Sequence, residues 1–276
     1  MIQSYFFIPA NKQKFVIKAR ELKADNYIFD MEESVCSTDL DICLEYLRMI
    51  CVQDNFWVRI PIDYKHYESL VPLVQTLYYI GFRNILLPKI ESSEQLRAIK
   101  ETLHAYSLKF GILVESPRAL LNFYEMATQN PDLSLVLIGS HDYCNVVGCK
   151  HEESNLIYLR QKLLTECKAL SIPIVDYVST NFADMEKYSQ ECVNANNMGF
   201  EGKAIIHPKQ LEVFNHVTFY TKDEVAEAQA VMNELGGRDI REVAIFKVNG
   251  KLYENPHIKR LKEIVEWNKN KKLYGI

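Results

Sequence analysis

The sequence lacks a basic field, a long apolar run and any cysteine pair at metal-ligand spacing. Its seven cysteines (Cys36, Cys43, Cys51, Cys144, Cys149, Cys167 and Cys192) contain no C-x-x-C and are odd in number. That argues against a disulfide framework and against a cysteine-held zinc. A formal net charge of −4 over 276 residues supplies no polybasic field, so nucleic acid is not an expected partner. No stretch approaches the roughly 18 to 20 apolar residues of a membrane-spanning helix, so no membrane partner is expected either. The opening MIQSYFFIPANKQ carries too short an apolar run for a signal peptide. Together these absences set the expectation of a reducing, cytoplasmic setting.

What is present is ordinary for a globular chain: 48% hydrophobic and 25% charged residues, enough for one large domain or one domain with an appendage. Short β-rich runs recur: SYFFIP from Ser4, NYIFDME from Asn26, FWVRIP from Phe56, NILLPKIE from Asn84, FGILVES from Phe110, LSLVLIGS from Leu133, PIVDYVS from Pro173 and KAIIHP from Lys203. Most are continuously apolar, as suits strands buried on both faces of a parallel sheet. Helical spacing separates them. Ser92-Ser93 can cap a helix carrying Leu96, Ile99 and Leu103, and Leu156, Leu159, Leu163 and Cys167 form another stripe. Eight β-then-α units predict a (β/α)8 TIM barrel over residues 1–220, with a doubly wound open sheet as the alternative. From Thr221 the pattern changes to a helix (KDEVAEAQAVMNEL), a break at GGRD, a β-hairpin turning at Asn249-Gly250 and a closing amphipathic helix. Residues 221–276 are therefore expected to form a C-terminal helix and hairpin appendage.

A barrel enzyme works at the carboxyl ends of its strands. Those ends carry Asp30 and Glu32, Arg59, Lys89 and Glu91, Glu115, Asp142, Asp176 and His207. Glu115 and Asp142 follow strands five and six, and neighbouring strands lie about 4.8 Å apart. Two carboxylates that close repel, so one takes a proton or a cation sits between them. An all-oxygen pair without neighbouring cysteine favours a hard ion such as Mg²⁺, although His141 beside Asp142 leaves room for a softer metal. The competing reading has Glu115 paired with Arg118 or Lys89 at a rim. Arg59 is a fixed cation that can face oxyanions or pair structurally with Asp30 or Glu32. His207, before a proline at a strand end, is read as a structural hydrogen-bonder or as a contact to substrate.

In order along the chain, FFIPANKQKFVIKA, YIFDMEESV, WVRIP, LLPKIES, ILVESPRALLN, LIGSHDY and GFEGKAIIHPKQL resemble the citrate lyase β-subunit-like (CitE-like) proteins of the HpcH/HpaI aldolase superfamily. The resemblance extends to the tail NGKLYENPHIKRLK. It implies a TIM barrel with a C-terminal lid, assembled as trimers or hexamers, and Mg²⁺ held by Glu115 and Asp142. It implies Arg59 as a catalytic group contacting substrate oxygens. Asp30, Glu32, Lys89 and His207, at the strand ends, are taken as substrate-binding candidates. The implied chemistry is Claisen-type cleavage or condensation of a malyl-, citramalyl- or citryl-CoA thioester, releasing an α-keto acid. The lid acid, which moves a proton at the enolate carbon, falls at Glu254, where the pattern has Asp. MEESV puts Glu33, VRIP puts Pro61 and GSHD puts His141 where the pattern has Asp, Asn and Glu, and Gln3 replaces an Arg. These departures keep two other readings open: a biosynthetic aldolase or synthase on a non-thioester substrate, and a binding subunit whose substrate arrives on an acyl-carrier protein.

Overall fold

Eight short apolar runs become eight strands because each is buried on both faces. In the computed structural model, which describes residues 1–180, 182–236 and 245–273, they are β1 (Gln3–Pro9), β2 (Asn26–Asp30), β3 (Phe56–Arg59), β4 (Asn84–Leu87), β5 (Lys109–Val114), β6 (Leu135–Ile138), β7 (Ile174–Asp176) and β8 (Gly202–Ile205). All pair in parallel in sequence order, and β8 closes onto β1 with Tyr5 opposite Ala204. This is the expected TIM barrel, and the open-sheet alternative is excluded by the β1–β8 ladder.

Helices alternate with the strands: α1 (Gln13–Lys18), α2 (Leu40–Leu47), α3 (Leu70–Ile80), α4 (Ser93–Thr102), α5 (Pro117–Gln129), α6 (Ser140–Val147), α7 (Glu153–Leu170), α8 (Met185–Met198) and α9 (Pro208–His216). Local chemistry starts two of them sharply. Ser92 and Gln95 form a reciprocal capping box on α4, and Ser116 caps α5 with Pro117 in its first turn.

Side chains of a strand alternate between faces. Tyr5, Ile28, Trp57, Leu86, Leu113, Leu137, Val175 and Ala204 pack together inside the barrel. Two residues further along, the same inward rows reach Asp30, Arg59, Glu115 and Gly139. Strand parity therefore carries a row of polar residues to the carboxyl end.

The chain divides into two compact units, Ile2–Phe214 and Asn215–Ile276 with Met1. In the second, α10 (Lys222–Leu235) opens with a Thr221–Glu224 capping box. Strands β9 (Ile245–Val248) and β10 (Lys251–Glu254) pair antiparallel about Asn249-Gly250, whose φ values of 50° and 83° suit a type I′ turn. Helix α11 (Asn255–Leu273) follows. Val231, Leu235, Tyr253 and Ile258 form this unit's own core. Beyond Gly236, the expected break at GGRD and the first residues of the expected hairpin run, Glu242 to Ala244, fall in 237–244, outside the described residues.

Candidate active site and metal centre

Glu115 is the deepest of the mouth carboxylates, only 4% exposed. One oxygen accepts the backbone N–H of Lys89. Lys89 has φ of +55°, a conformation uncommon outside glycine and asparagine and concentrated at functional sites. Among the described residues no cationic side chain forms an ion pair with Glu115, although Arg59 acts on it from nearby. Lys89 Nζ instead holds Glu32 at 2.5 Å, and Arg118 lies 3.9 Å from Glu91. The rim pairing considered for Glu115 is therefore absent. Desolvation, augmented by the nearby Asp142 and opposed by the Lys89 amide, raises the Glu115 carboxyl from 4.5 to about 8.

Asp142 sits in the first turn of α6. Glu115, Asp142 and Glu33 each offer an oxygen, and these atoms lie within 4.8 Å of one another. Glu33 was not among the expected site residues. It sits in the loop after β2, and only the fold carries it to β5 and β6. Burial raises its carboxyl, Arg59 opposes, and Asp142 adds to the rise. Two of the three clustered carboxyls are thus shifted upward, as expected where carboxylates crowd without a cation between them. The donors are all oxygen, as a hard divalent ion requires.

Arg59 is buried and fully engaged. Its Nε donates to Asp30 Oδ1 at 2.6 Å, Nη1 lies 3.4 Å from Glu32 and Nη2 lies 3.2 Å from Glu33. Both readings of Arg59 meet here, since the pairs fix a guanidinium that lines the mouth cavity. Desolvation works against the Asp30 carboxylate, yet Arg59, Ser34 and the Glu32 amide hold its carboxyl below the ordinary range. Asp30 is an anchor, bound to Ser34 Oγ at 2.6 Å as well as to Arg59.

The backbone makes room for this cluster at Gly139. A Cβ there would stand 2.4 Å from Cβ of Glu115. The cavity encloses about 370 Å³, with Leu113, Leu137, Val178 and Ala204 at its apolar side.

Three other expected residues have partners of their own. Asp176 was expected at the mouth, but Val175 faces the barrel interior, so parity turns Asp176 outward. There it receives Nε and Nη2 of Arg160, both at 3.0 Å, and Nζ of Lys203 at 3.1 Å, in a network that is buried throughout. His207 Nδ1 accepts the N–H of Lys209 at the start of α9, which favours its structural reading. Glu254 ends β10 in the second unit and donates its N–H to His257 Nδ1 at 3.1 Å.

With the site described, comparison with known proteins places the chain. A profile of the HpcH/HpaI aldolase/citrate lyase family matches residues 3–208. The chain is 29% identical over 272 residues to the (3S)-malyl-CoA thioesterase of Cereibacter sphaeroides, covering 93% of this chain and 90% of that one. It is 24% identical over 292 residues to the mitochondrial citramalyl-CoA lyase of Mus musculus, covering 95% and 85%. Its fold matches CitE from Mycobacterium tuberculosis, solved with magnesium, acetoacetate and coenzyme A, at a TM-score of 0.79, 20% identity and coverage of 96% and 97%. No helix among the described residues is long and apolar enough to cross a membrane. The chain belongs to the HpcH/HpaI aldolase/citrate lyase family.

Proposed function

We propose that the protein is a Mg²⁺-dependent carbon–carbon lyase that cleaves or forms a hydroxyacyl-CoA thioester of the malyl or citramalyl kind, exchanging it with an α-keto acid and an acyl-CoA. The observation that carries this reading is the clustering of Glu33, Glu115 and Asp142 oxygens within 4.8 Å, beside the guanidinium of Arg59, at the carboxyl ends of barrel strands. Glu115 and Asp142 would hold the ion, and Glu33 stands beside them. When bound, Mg²⁺ supplies Lewis-acid polarisation and a template for a keto acid's carboxylate and carbonyl oxygens.

The chain's own groups supply the rest. Ser140, His141 and Asp142 line the cavity, and Gly139 provides no side-chain cap for the first-turn N–H groups of α6. Uncapped amides at a helix start attract a carboxylate. In cleavage a carboxylate takes the hydroxyl proton, the hydroxyl oxygen becomes the keto oxygen, and the electrons of the broken C–C bond pass into the thioester carbonyl. Arg59, held rigid by three carboxylates, is placed to stabilise the resulting enolate oxygen without reorganising. The enolate carbon then takes a proton from a carboxyl group. Glu254 is the acid that the resemblance assigns to that role.

Self-association is part of the reading. Leu121 and Tyr124 on α5, Val146 and Val147 on α6 and Tyr158 on α7 are exposed apolar side chains on neighbouring helices, and such a face favours a homo-oligomer, a trimer or hexamer. The test of function is incubation with Mg²⁺ and malyl-, citramalyl- and citryl-CoA, followed by assay of the released keto acid. Release abolished by chelator and by Glu115→Gln is expected. No release from any thioester would favour a biosynthetic aldolase or a binding subunit instead.

A further inference from the structure

The peptide unit between Pro88 and Lys89 is held at both ends. Its N–H donates to Glu115 Oε1, and its carbonyl oxygen accepts the hydroxyl of Tyr64. Tyr64 lies in the loop after β3, the peptide follows β4 and Glu115 follows β5. Three neighbouring strand ends are thus tied through one amide. The side chain of Lys89 takes no part, because its Nζ pairs with Glu32.

This orientation of the peptide is not the one the local chain prefers. The Pro88 ring fixes its own φ near about −65°, so the peptide plane turns only through ψ of Pro88 and φ of Lys89. The latter stands at +55°, in the left-handed region that a residue with a Cβ populates about five- to thirtyfold less readily. Half a turn of the plane would return Lys89 to negative φ. It would also withdraw the N–H from Glu115 and aim the Pro88 carbonyl at the carboxylate. Tyr64 opposes that rotation by gripping the carbonyl on the side away from Glu115. The loop that carries it is ordered: Asp63 accepts the N–H of Lys65 at 2.9 Å and faces His66 Nδ1 at 3.1 Å. The rings of Tyr64 and Tyr67 meet edge to face, with centroids 6.3 Å apart. Burial, and after it the nearby Glu115, push the Tyr64 hydroxyl well above its ordinary value, so it remains a donor. The two bonds also reinforce each other, since a carbonyl that accepts a proton polarises its own amide toward the carboxylate.

Resting on the assignment of Glu115 as a metal ligand, we propose that Tyr64 is a positioning residue for the metal centre: its hydroxyl locks the Pro88–Lys89 peptide in the orientation whose N–H presets the Glu115 carboxylate for a divalent ion. Tyr64 acts through the backbone and touches neither ion nor substrate. A ligand ordered beforehand spares the ion the cost of ordering it on binding.

The test is calorimetry with Mn²⁺ and Mg²⁺ on the full-length wild type, Tyr64→Phe and Tyr67→Phe, with the metal-free melting temperature of each. Tyr64→Phe keeps the ring and removes one donor, and metal affinity is expected to weaken by about three- to tenfold. Tyr67→Phe removes a hydroxyl from the same loop and is expected to bind metal within about twofold of the wild type. In turnover, the Mg²⁺ concentration for half-maximal rate should rise in Tyr64→Phe by the same factor as the dissociation constant, and excess Mg²⁺ should recover most of the rate. A lowered melting temperature with metal affinity unchanged in Tyr64→Phe would reduce Tyr64 to a structural part of the loop and overturn the proposal. Equal weakening in both variants would assign the effect to the loop as a whole and overturn it as well. Absence of metal binding by the wild type would instead overturn the metal assignment of Glu115, and the proposal with it.

Discussion

Gly139 lies against Glu115 so closely that a single added carbon would stand 2.4 Å from Cβ and 2.9 Å from Oε2 of the glutamate. The two residues come from adjacent strands, and Gly139 N–H donates to Val114 O at 2.9 Å. Neither backbone can retreat without breaking the β5–β6 ladder. Gly139→Ala should therefore displace the Glu115 carboxylate. Overpacking of this sort costs about 1–3 kcal/mol. The expected outcome is a lowered melting temperature together with Mn²⁺ or Mg²⁺ affinity weakened by tenfold or more, on the order of 1.4 kcal/mol. Metal titration by calorimetry checks it, and an unchanged affinity would show that the site tolerates the shift.

The raised Glu115 carboxyl predicts a pH dependence with a definite sign. In the folded, metal-free protein it titrates near 8, against 4.5 ordinarily. Between those values the folded state holds a proton that the unfolded chain does not. Stability from this group is thus fully present below about pH 4.5 and lost as pH rises through about 8. Glu115→Gln cannot lose it. Melting of the metal-free pair should show the variant gaining on the wild type from about pH 5 to about pH 8. Saturating Mg²⁺ should reverse the trend, because the ion binds the deprotonated carboxylate. A gap that stays flat with pH would place the proton elsewhere.

The barrel is legible in the sequence because eight apolar runs are followed by helical spacing, and helices α4 and α10 announce themselves through Ser92 and Thr221. Arg59 and Glu115 stand out because each directly follows an apolar run, and Asp142 because it comes a few residues after one. Glu33 does not, since it lies in a loop and only closure of the barrel brings it to β5 and β6. Asp176 looks the same as Glu115 in one dimension, yet strand parity separates them: Leu113 and Glu115 share a face, whereas Val175 and Asp176 do not. A signal for this was present in GKAII, where a lysine inside a buried strand demands an anion. His207 gives no such signal, because capping and substrate contact require the same short polar stretch.

That outward network makes a stability prediction. Asp176 holds both Arg160 and Lys203, and all three side chains are at most 1% exposed. Arg160 has a second carboxylate in Glu153 at 3.0 Å, while Lys203 Nζ lies 4.0 Å from the centre of the Tyr177 ring. Asp176→Ala strands a buried ammonium and should cost about 3–5 kcal/mol. Lys203→Met leaves the Arg160 pair in place and should cost less. Urea midpoints measure both, and a loss under about 1 kcal/mol for Asp176→Ala would mean that water reaches the cations.

Glu254 tests the proton step separately from the metal. It follows Tyr253, whose hydroxyl donates to Glu227 at 2.5 Å and whose ring belongs to the core of the second unit. The hairpin that carries Glu254 is thereby anchored through its neighbour, so Glu254→Gln should leave the unit folded. A general acid–base group contributes about 10²- to 10⁴-fold. The variant should lose turnover by that order while binding the keto acid as tightly as the wild type. Glu254→Asp, which restores the acid of the family pattern one methylene shorter, should retain measurable turnover. Kinetics with citramalyl-CoA and calorimetry with pyruvate separate the two effects. If Glu254→Gln turns over at the wild-type rate, the proton at carbon comes from another group; if it weakens keto-acid binding equally, Glu254 acts in binding rather than in proton transfer.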